Sequence, residues 1–244
     1  MIDLHCHILP GIDDGPPTID EALQMCRIAV QDGITSIVAT PHMRKGVYST
    51  NKTQILKAVQ SLQSDLKKNN IDVAILPGHE AYISETLLRD IDTGQVLTIN
   101  DAMKYMSLEM PHDSVPFYIE DVLKELKGIN IIGIISHPER NFQIRQDWRI
   151  LKKIVKLGAL SQITAMSITG EFGEGVKKTA VTLLKKGLVH MVVSDAHSAD
   201  KRMPILSKAV QETARIIGEK KALAMVNCKE VIQRVQNLDT LTVS

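Results

Sequence analysis

Four times in this chain a glycine closes an amphipathic segment and hands over to a short apolar run: "QDGITSIVATPH", "LKGINIIGIISHPER", "KLGALSQITAMS" and "KKGLVHMVVSDAH". Gly33, Gly128, Gly158 and Gly187 read as helix-ending residues, because the left-handed conformation is easiest without a Cβ. The runs that follow are rich in Ile and Val and nearly continuous, as strands covered on both faces are. Between the joints lie helical patterns. Residues 51–70, for instance, place Ile55, Leu56, Val59, Leu62 and Leu66 on one face, and Thr18 with Glu21 forms a capping-box pattern after Pro16 and Pro17. Adding the segments around "MIDLH", "VAILPGHE" and "YMSLEMP" gives about seven strands in alternation with helices, the order of a parallel α/β barrel or an open doubly wound sheet. No glycine-rich phosphate loop follows the first strand, which counts against the nucleotide-binding open sheets.

With 244 residues and 44% hydrophobic content the chain can bury a full core, expected to be one domain over 1–244. Aromatics are only 3%, so packing falls to Leu, Ile, Val and Met. The 29 basic and 28 acidic residues leave a net charge of +1, with no one-signed field for nucleic acid or a membrane surface. Cys6, Cys26 and Cys228 are far apart and form no CxxC, which fits a reducing cytoplasm. Ile2 already begins a strand and the apolar runs are short, so neither a targeting segment nor membrane insertion is expected.

The ends of these strands carry the chemistry. They are His5 and His7, His42, Glu80, Glu109, His137, and Asp195 with His197, while Asp14 hangs in the loop after the first strand. In "DLHCHILPGIDDG", alternation puts His5 and His7 on one face and Cys6 on the other. The C-terminal strand ends of a parallel barrel gather on one rim, where active sites form. Five imidazoles and four carboxylates without a thiolate suit Mn²⁺, Fe²⁺ or Zn²⁺. Nine ligands are too many for one ion, so two or three ions are expected, with Glu80 as a bridge. Three divalent ions against four carboxylates leave about +2, a match for a phosphomonoester at neutral pH. Arg140 and Arg202 flank the set, and guanidinium is shaped for bidentate phosphate contact.

In their order along the chain, "DLHCHILPGIDDGP", "ATPH", "ILPGHEAYI", "LEMP", "SHPERN", "GALSQITAMSITGEFG" and "VSDAH" resemble the polymerase and histidinol phosphatase (PHP) superfamily. Within it they are most similar to the manganese-dependent protein-tyrosine phosphatases of bacterial capsule and exopolysaccharide clusters. The resemblance implies a distorted seven-stranded (β/α)7 barrel and Mn²⁺ as the metal. It implies hydrolysis of phosphotyrosine on the tyrosine-rich tail of a bacterial kinase. By similarity, His5, His7, Glu80 and Asp195 would hold one ion, Glu80, Glu109 and His137 a second, and Asp14, His42 and His197 a third. Arg140 and Arg202 resemble the phosphate-binding arginines. Met43 and His79 stand where relatives carry histidine and glutamine; neither is an assigned ligand.

Three rivals are weighed. "CKEVIQR", Cys228 to Arg234, has the C-x5-R count of cysteine-dependent phosphatases, but it lacks the glycines such a loop uses and continues a helical pattern. A small phosphomonoester such as histidinol phosphate would keep the metals and change the substrate. A non-catalytic metal-bound regulatory partner of a kinase would have no need of the two arginines. His112 and His190 read as structural or surface residues, and "YSTNKT" and "ITGEFGEG" as the sizeable rim loops.

Overall fold

The computed structural model describes residues 1–233. Its strands form two parallel sheets. The first has the order β1 (Ile2–Cys6), β2 (Ser36–Ala39), β4 (Ala74–Pro77). The second runs β3 (His42–Met43), β5 (Glu80–Tyr82), β6 (Tyr105–Glu109), β7 (Ile132–Ser136), β8 (Leu160–Thr164), β9 (Met191–Val193). The α/β class with parallel strands is as expected, but the count and the closure differ. There are nine strands rather than seven, and no closed barrel among the described residues.

The difference has a local cause. Thr40-Pro41 separates β2 from β3, and Gly78-His79 separates β4 from β5. Proline has no N–H for a ladder, and a Cβ on Gly78 would come within 3.0 Å of the Val38 side chain. The two breaks lie side by side: Glu80 N–H donates to the Pro41 carbonyl (3.0 Å), and His42 then pairs with Glu80. On the other side, an isolated bridge of Cys6 with Ala196 joins the end of β1 to the segment just past β9. His7 N–H to Ala196 O (2.8 Å) and Asp195 N–H to His5 O (2.9 Å) reinforce it.

Alternate residues along the strands sort the interior into layers. Ile2, Leu4, Val38, Ile134, Met191 and Val193 pack together as an apolar floor near the strand starts. Above it Ser107, Ser136 and Gln162 bond to one another, the two hydroxyls 2.8 Å apart. The site lies above these. Leu4 joins the apolar cluster while its neighbour His5 bonds to Gln162, and the register between β1 and β2 shifts between Asp3 and Cys6. The larger core, including Ile37, Leu108, Ile135 and Val192, lies between sheets and helices.

Three of the four joint glycines take positive φ: Gly33 (85°), Gly158 (102°) and Gly187 (65°). At the fourth joint the helix Ile119–Gly128 runs through its glycine, and Asn130 (φ 60°) makes the reversal. Asparagine is among the few residues that tolerate this region. Thr18 caps the helix Ile19–Gln31 by accepting the Glu21 N–H, but the Glu21 carboxylate bonds to the Ala199 N–H. A full capping box starts the helix Lys52–Lys68, between Asn51 and Gln54. That helix buries Ile55, Val59, Leu62 and Leu66 and leaves Leu56 half-buried.

Candidate metal centre

The strand ends bring the nine predicted ligands into one cluster. At its centre His5 Nε2 and His7 Nε2 are 3.1 Å apart. Glu80 Oε2 is 3.4 and 3.6 Å from them, and Asp195 Oδ1 is 3.6 Å from each. A cation with ligands at about 2.1 Å sets neighbouring ligand atoms about 3.0 to 3.4 Å apart, and the observed 3.1 to 3.6 Å lies close to that range. Glu80 Oε2 is buried and makes no well-directed hydrogen bond, although imidazole nitrogens surround it, an arrangement that a cation would satisfy.

The other ligands extend the group on two sides. His137 Nε2 lies 3.0 Å from Glu80 Oε1. His42 Nδ1 lies 3.1 Å from Glu80 Oε2 and 3.4 Å from Glu109 Oε2, so this histidine, which the resemblance assigns to the third ion, also faces the two carboxylates assigned to the second. Asp14 Oδ1 is 3.5 Å from both His42 Nε2 and His197 Nε2. His7, Asp14, His42 and His197 make one potential ion-holding group, His5, His7 and Glu80 another, and His42, Glu80 and Glu109 a third. The donor set is nitrogen and oxygen only and therefore fits borderline-to-hard divalent ions.

Two of the predicted ligands are presented by unusual backbone. His137 (φ 33°, ψ 50°) and Asp195 (φ 52°) both lie in the left-handed region. Such conformations cost about 1–3 kcal/mol each and persist where the surroundings over-determine them. At Asp195 the surroundings are visible. Its N–H is tied to His5 O, and its carboxylate oxygen Oδ2 accepts from Arg140 Nη1 (2.6 Å) and Arg202 Nη2 (2.7 Å). After His137, a short turn, Pro138–Arg140, is anchored by buried Glu139, which accepts the Thr164 N–H and the Ser167 hydroxyl.

Electrostatics follow from this crowding. Burial pushes the His7 imidazole down, but Asp13 and Glu80 outweigh it and raise it to about 9. At His42, burial is likewise outweighed by Glu109 and Glu80, which raise it to about 11. Burial, with His7 beside it, holds His197 well below the usual imidazole range. For Asp195, burial is overcome by His5 and the two arginines, and its pKa is lowered. Ligands must lose their protons to bind, so a divalent ion would compete with protonation at His7 and His42.

Several residues beside the cluster escaped the sequence reading. Asp13 Oδ2 lies 2.6 Å from His7 Nδ1 and accepts the His42 backbone N–H (2.9 Å), so it holds the ring of one predicted ligand and the backbone of another. A carboxylate on the far ring nitrogen is the usual partner of a metal-binding histidine, and its place beside Asp14 was the available signal. Gln162 meets His5 Nδ1 from β8, the strand with no ligand at its end. His112 is not remote: its ring stacks against His137 with centroids 6.0 Å apart. His79 faces away from the cluster, accepting the Leu97 N–H, and burial lowers it to about 4. His190 accepts the Ser161 N–H. Cys228 is buried and its thiol is pushed up to about 11 by burial and Glu230, the reverse of an activated nucleophile. Its proposed partner Arg234 lies outside the described residues.

The family model described as "Capsular polysaccharide synthesis, CpsB/CapC" matches residues 1–233. The chain is 37% identical to the tyrosine-protein phosphatase YwqE of Bacillus subtilis, over 98% of this chain and 93% of that one. It is 34% identical to the putative tyrosine-protein phosphatase CapC of Staphylococcus aureus, over 83% and 79%. Among solved structures, one from a study of YwqE from Bacillus subtilis and CpsB from Streptococcus pneumoniae, "unique metal-dependent tyrosine phosphatases", superposes with a TM-score of 0.91. It is 36% identical and the match covers 95% of this chain and 94% of that one. A histidinol phosphate phosphatase from Lactococcus lactis shares the fold at a TM-score of 0.56 and 15% identity, covering 91% of this chain and 93% of that one. By its family match and its relatives alike, this chain belongs to the CpsB/CapC family of capsular polysaccharide synthesis.

Proposed function

We propose that this protein is a metal-dependent protein-tyrosine phosphatase, acting on the tyrosine-rich tail of a bacterial tyrosine kinase that controls capsule or exopolysaccharide synthesis. The observation that carries the reading is Asp195. Its Oδ1 joins the imidazole cluster while its Oδ2 holds both Arg140 and Arg202. One carboxylate thus sets the distance between the metal ligands and two phosphate-binding groups. The relatives' names support phosphotyrosine as the substrate.

On this reading His5, His7, Asp14, His42, Glu80, Glu109, His137, Asp195 and His197 hold two or three Mn²⁺ ions, with Fe²⁺ or Zn²⁺ as substitutes. Bound divalent ions would acidify water and offset phosphoryl charge. The remaining work belongs to the chain. Arg140 and Arg202 donate to the phosphoryl oxygens through the N–H groups not taken by Asp195, which fixes the phosphate beside the ligands. Asp13 and Gln162 hold the rings of His7 and His5 in place. The leaving group helps, since a phenol with a pKa of about 10 departs more easily than a serine alkoxide. The protein works as one cytoplasmic domain, and counting β2 with β3 and β4 with β5 as single positions gives the (β/α)7 arrangement of the PHP type.

The test is kcat/KM for matched phosphotyrosine and phosphoserine peptides and for histidinol phosphate, with Mn²⁺ added after chelation. Phosphotyrosine should be preferred, and the chelated protein should be inactive. Preference for histidinol phosphate would transfer the site to small phosphomonoesters. No metal-dependent turnover of any of them would leave a binding protein.

A further inference from the structure

The chain has three phenylalanines, and none is in the core. Phe117, Phe142 and Phe172 lie in the connections that follow β6, β7 and β8 at the rim; Phe117 is 90% exposed and Phe142 56%, and Phe172 is half-buried. Leaving the bulkiest apolar side chains out of a core that lacks aromatics needs a reason. Phe172 supplies one by its position. Its ring centroid is 5.0 Å from the Arg140 guanidinium carbon and 5.8 Å from that of Arg202. The two groups that grip phosphate therefore lie between Asp195 and the Phe172 ring, which is half-buried and keeps part of its surface open beside them.

The loop that presents Phe172 is tightly defined. Gly170 (φ 107°) and Gly173 (φ 88°) bracket it, conformations that other residues rarely adopt. The Glu171 N–H donates to Met166 O (3.0 Å) and the Gly173 N–H to Gly170 O (2.9 Å). The ring is thus delivered by a short hydrogen-bonded turn between the helices Ala165–Thr169 and Glu174–Lys185.

We propose that Phe172 is a specificity-determining residue, the apolar wall against which the substrate's phenyl ring lies while Arg140 and Arg202 hold its phosphate. This rests on the phosphotyrosine reading above. A phosphoryl group gripped by both guanidinium groups leaves its ester oxygen one bond from the carbon it carries. In a tyrosine ester that carbon belongs to a ring, which can pair with the Phe172 ring at the roughly 4.5–7 Å centroid separation of aromatic pairs. A serine ester presents a single methylene there and gains little.

The experiment compares the Mn²⁺-loaded wild type with Phe172→Ala and Phe172→Trp. It reads kcat/KM on a phosphotyrosine peptide, together with inhibition by phenylphosphonate and methylphosphonate, two anions that differ by the ring. Phe172→Ala should lose about tenfold on the peptide and on phenylphosphonate, keep methylphosphonate within about twofold, and be rescued by Phe172→Trp. Equal weakening of both phosphonates would mean that the ring only supports the arginines and would overturn the proposal. So would unchanged discrimination in Phe172→Ala. A wild type that ignores phosphotyrosine but cleaves other phosphomonoesters defeats the functional reading itself. A wild type active on phosphotyrosine whose Phe172→Ala variant still favours the aryl phosphonate defeats this inference alone.

Discussion

The inner and outer parts of the ligand cluster use the same chemistry in different surroundings. His5, His7 and Glu80 are fully buried and Asp195 nearly so, and His5, His7 and Asp195 are further held from behind by Gln162, Asp13 and the two arginines. At the outer edge the Asp14 side chain is 48% exposed and that of His42 16%. A buried, supported ligand is already oriented, so an ion placed there loses little to rearrangement; an exposed one must be ordered each time and competes with water. Metal affinity should therefore fall from the centre outward, although every position offers a comparable donor.

The strongest challenge to that gradient is at Glu80, which lies against His5, His7, His42 and His137. Glu80→Gln should lower kcat at saturating Mn²⁺ by about a hundredfold or more, with the circular dichroism of the folded chain retained. Next comes Asp14→Ala, with a loss of about tenfold that added Mn²⁺ largely recovers. If Asp14→Ala proved as damaging as Glu80→Gln and could not be rescued, the gradient would be wrong.

A smaller effect separates the cluster from its neighbour His79. Its folded pKa of about 4 lies below the unfolded imidazole value of about 6.5. Between these values the unfolded chain binds the extra proton, so this contribution to stability is full above pH 6.5 and is lost as pH falls toward 4. The span is worth about 3 kcal/mol at most. His79→Gln offers an amide oxygen to the Leu97 N–H and should flatten that part of the acid limb in metal-free urea titrations. An unchanged limb would assign the loss to the carboxylates. The smallest effect is expected at Cys228→Ser, whose activity should stay within about twofold of the wild type. Its thiol packs with the apolar floor at the other end of the interior.

How much of this was legible in the sequence depends on what kind of signal each feature leaves. The clustered histidines and carboxylates at the ends of apolar runs stand out, because a run of Ile and Val that stops at His or Glu is unusual at each occurrence. The parallel α/β order was legible for the same reason. The division into two sheets was not, although Pro41 and Gly78 are residues that interrupt strands. Their alignment side by side is a matter of register between strands about forty residues apart. Asp13, Gln162 and His112 were missed because they act on a ligand rather than as one, and only the folded chain brings them next to it. At the joint of Gly128 the reversal lies two residues beyond the glycine, since Asn130 can do the same work.

The left-handed backbone at His137 and Asp195 bears on how this centre could change over generations. If these residues hold ions as proposed, a replacement at either position must satisfy both an ion and a conformation that most side chains resist, so two independent filters act on every substitution. Asp14 faces one filter only. Selection for a different metal would then accumulate its accepted changes at the outer edge first. The two strained positions would hold their residues longest, as fixed points around which the rest of the shell could drift.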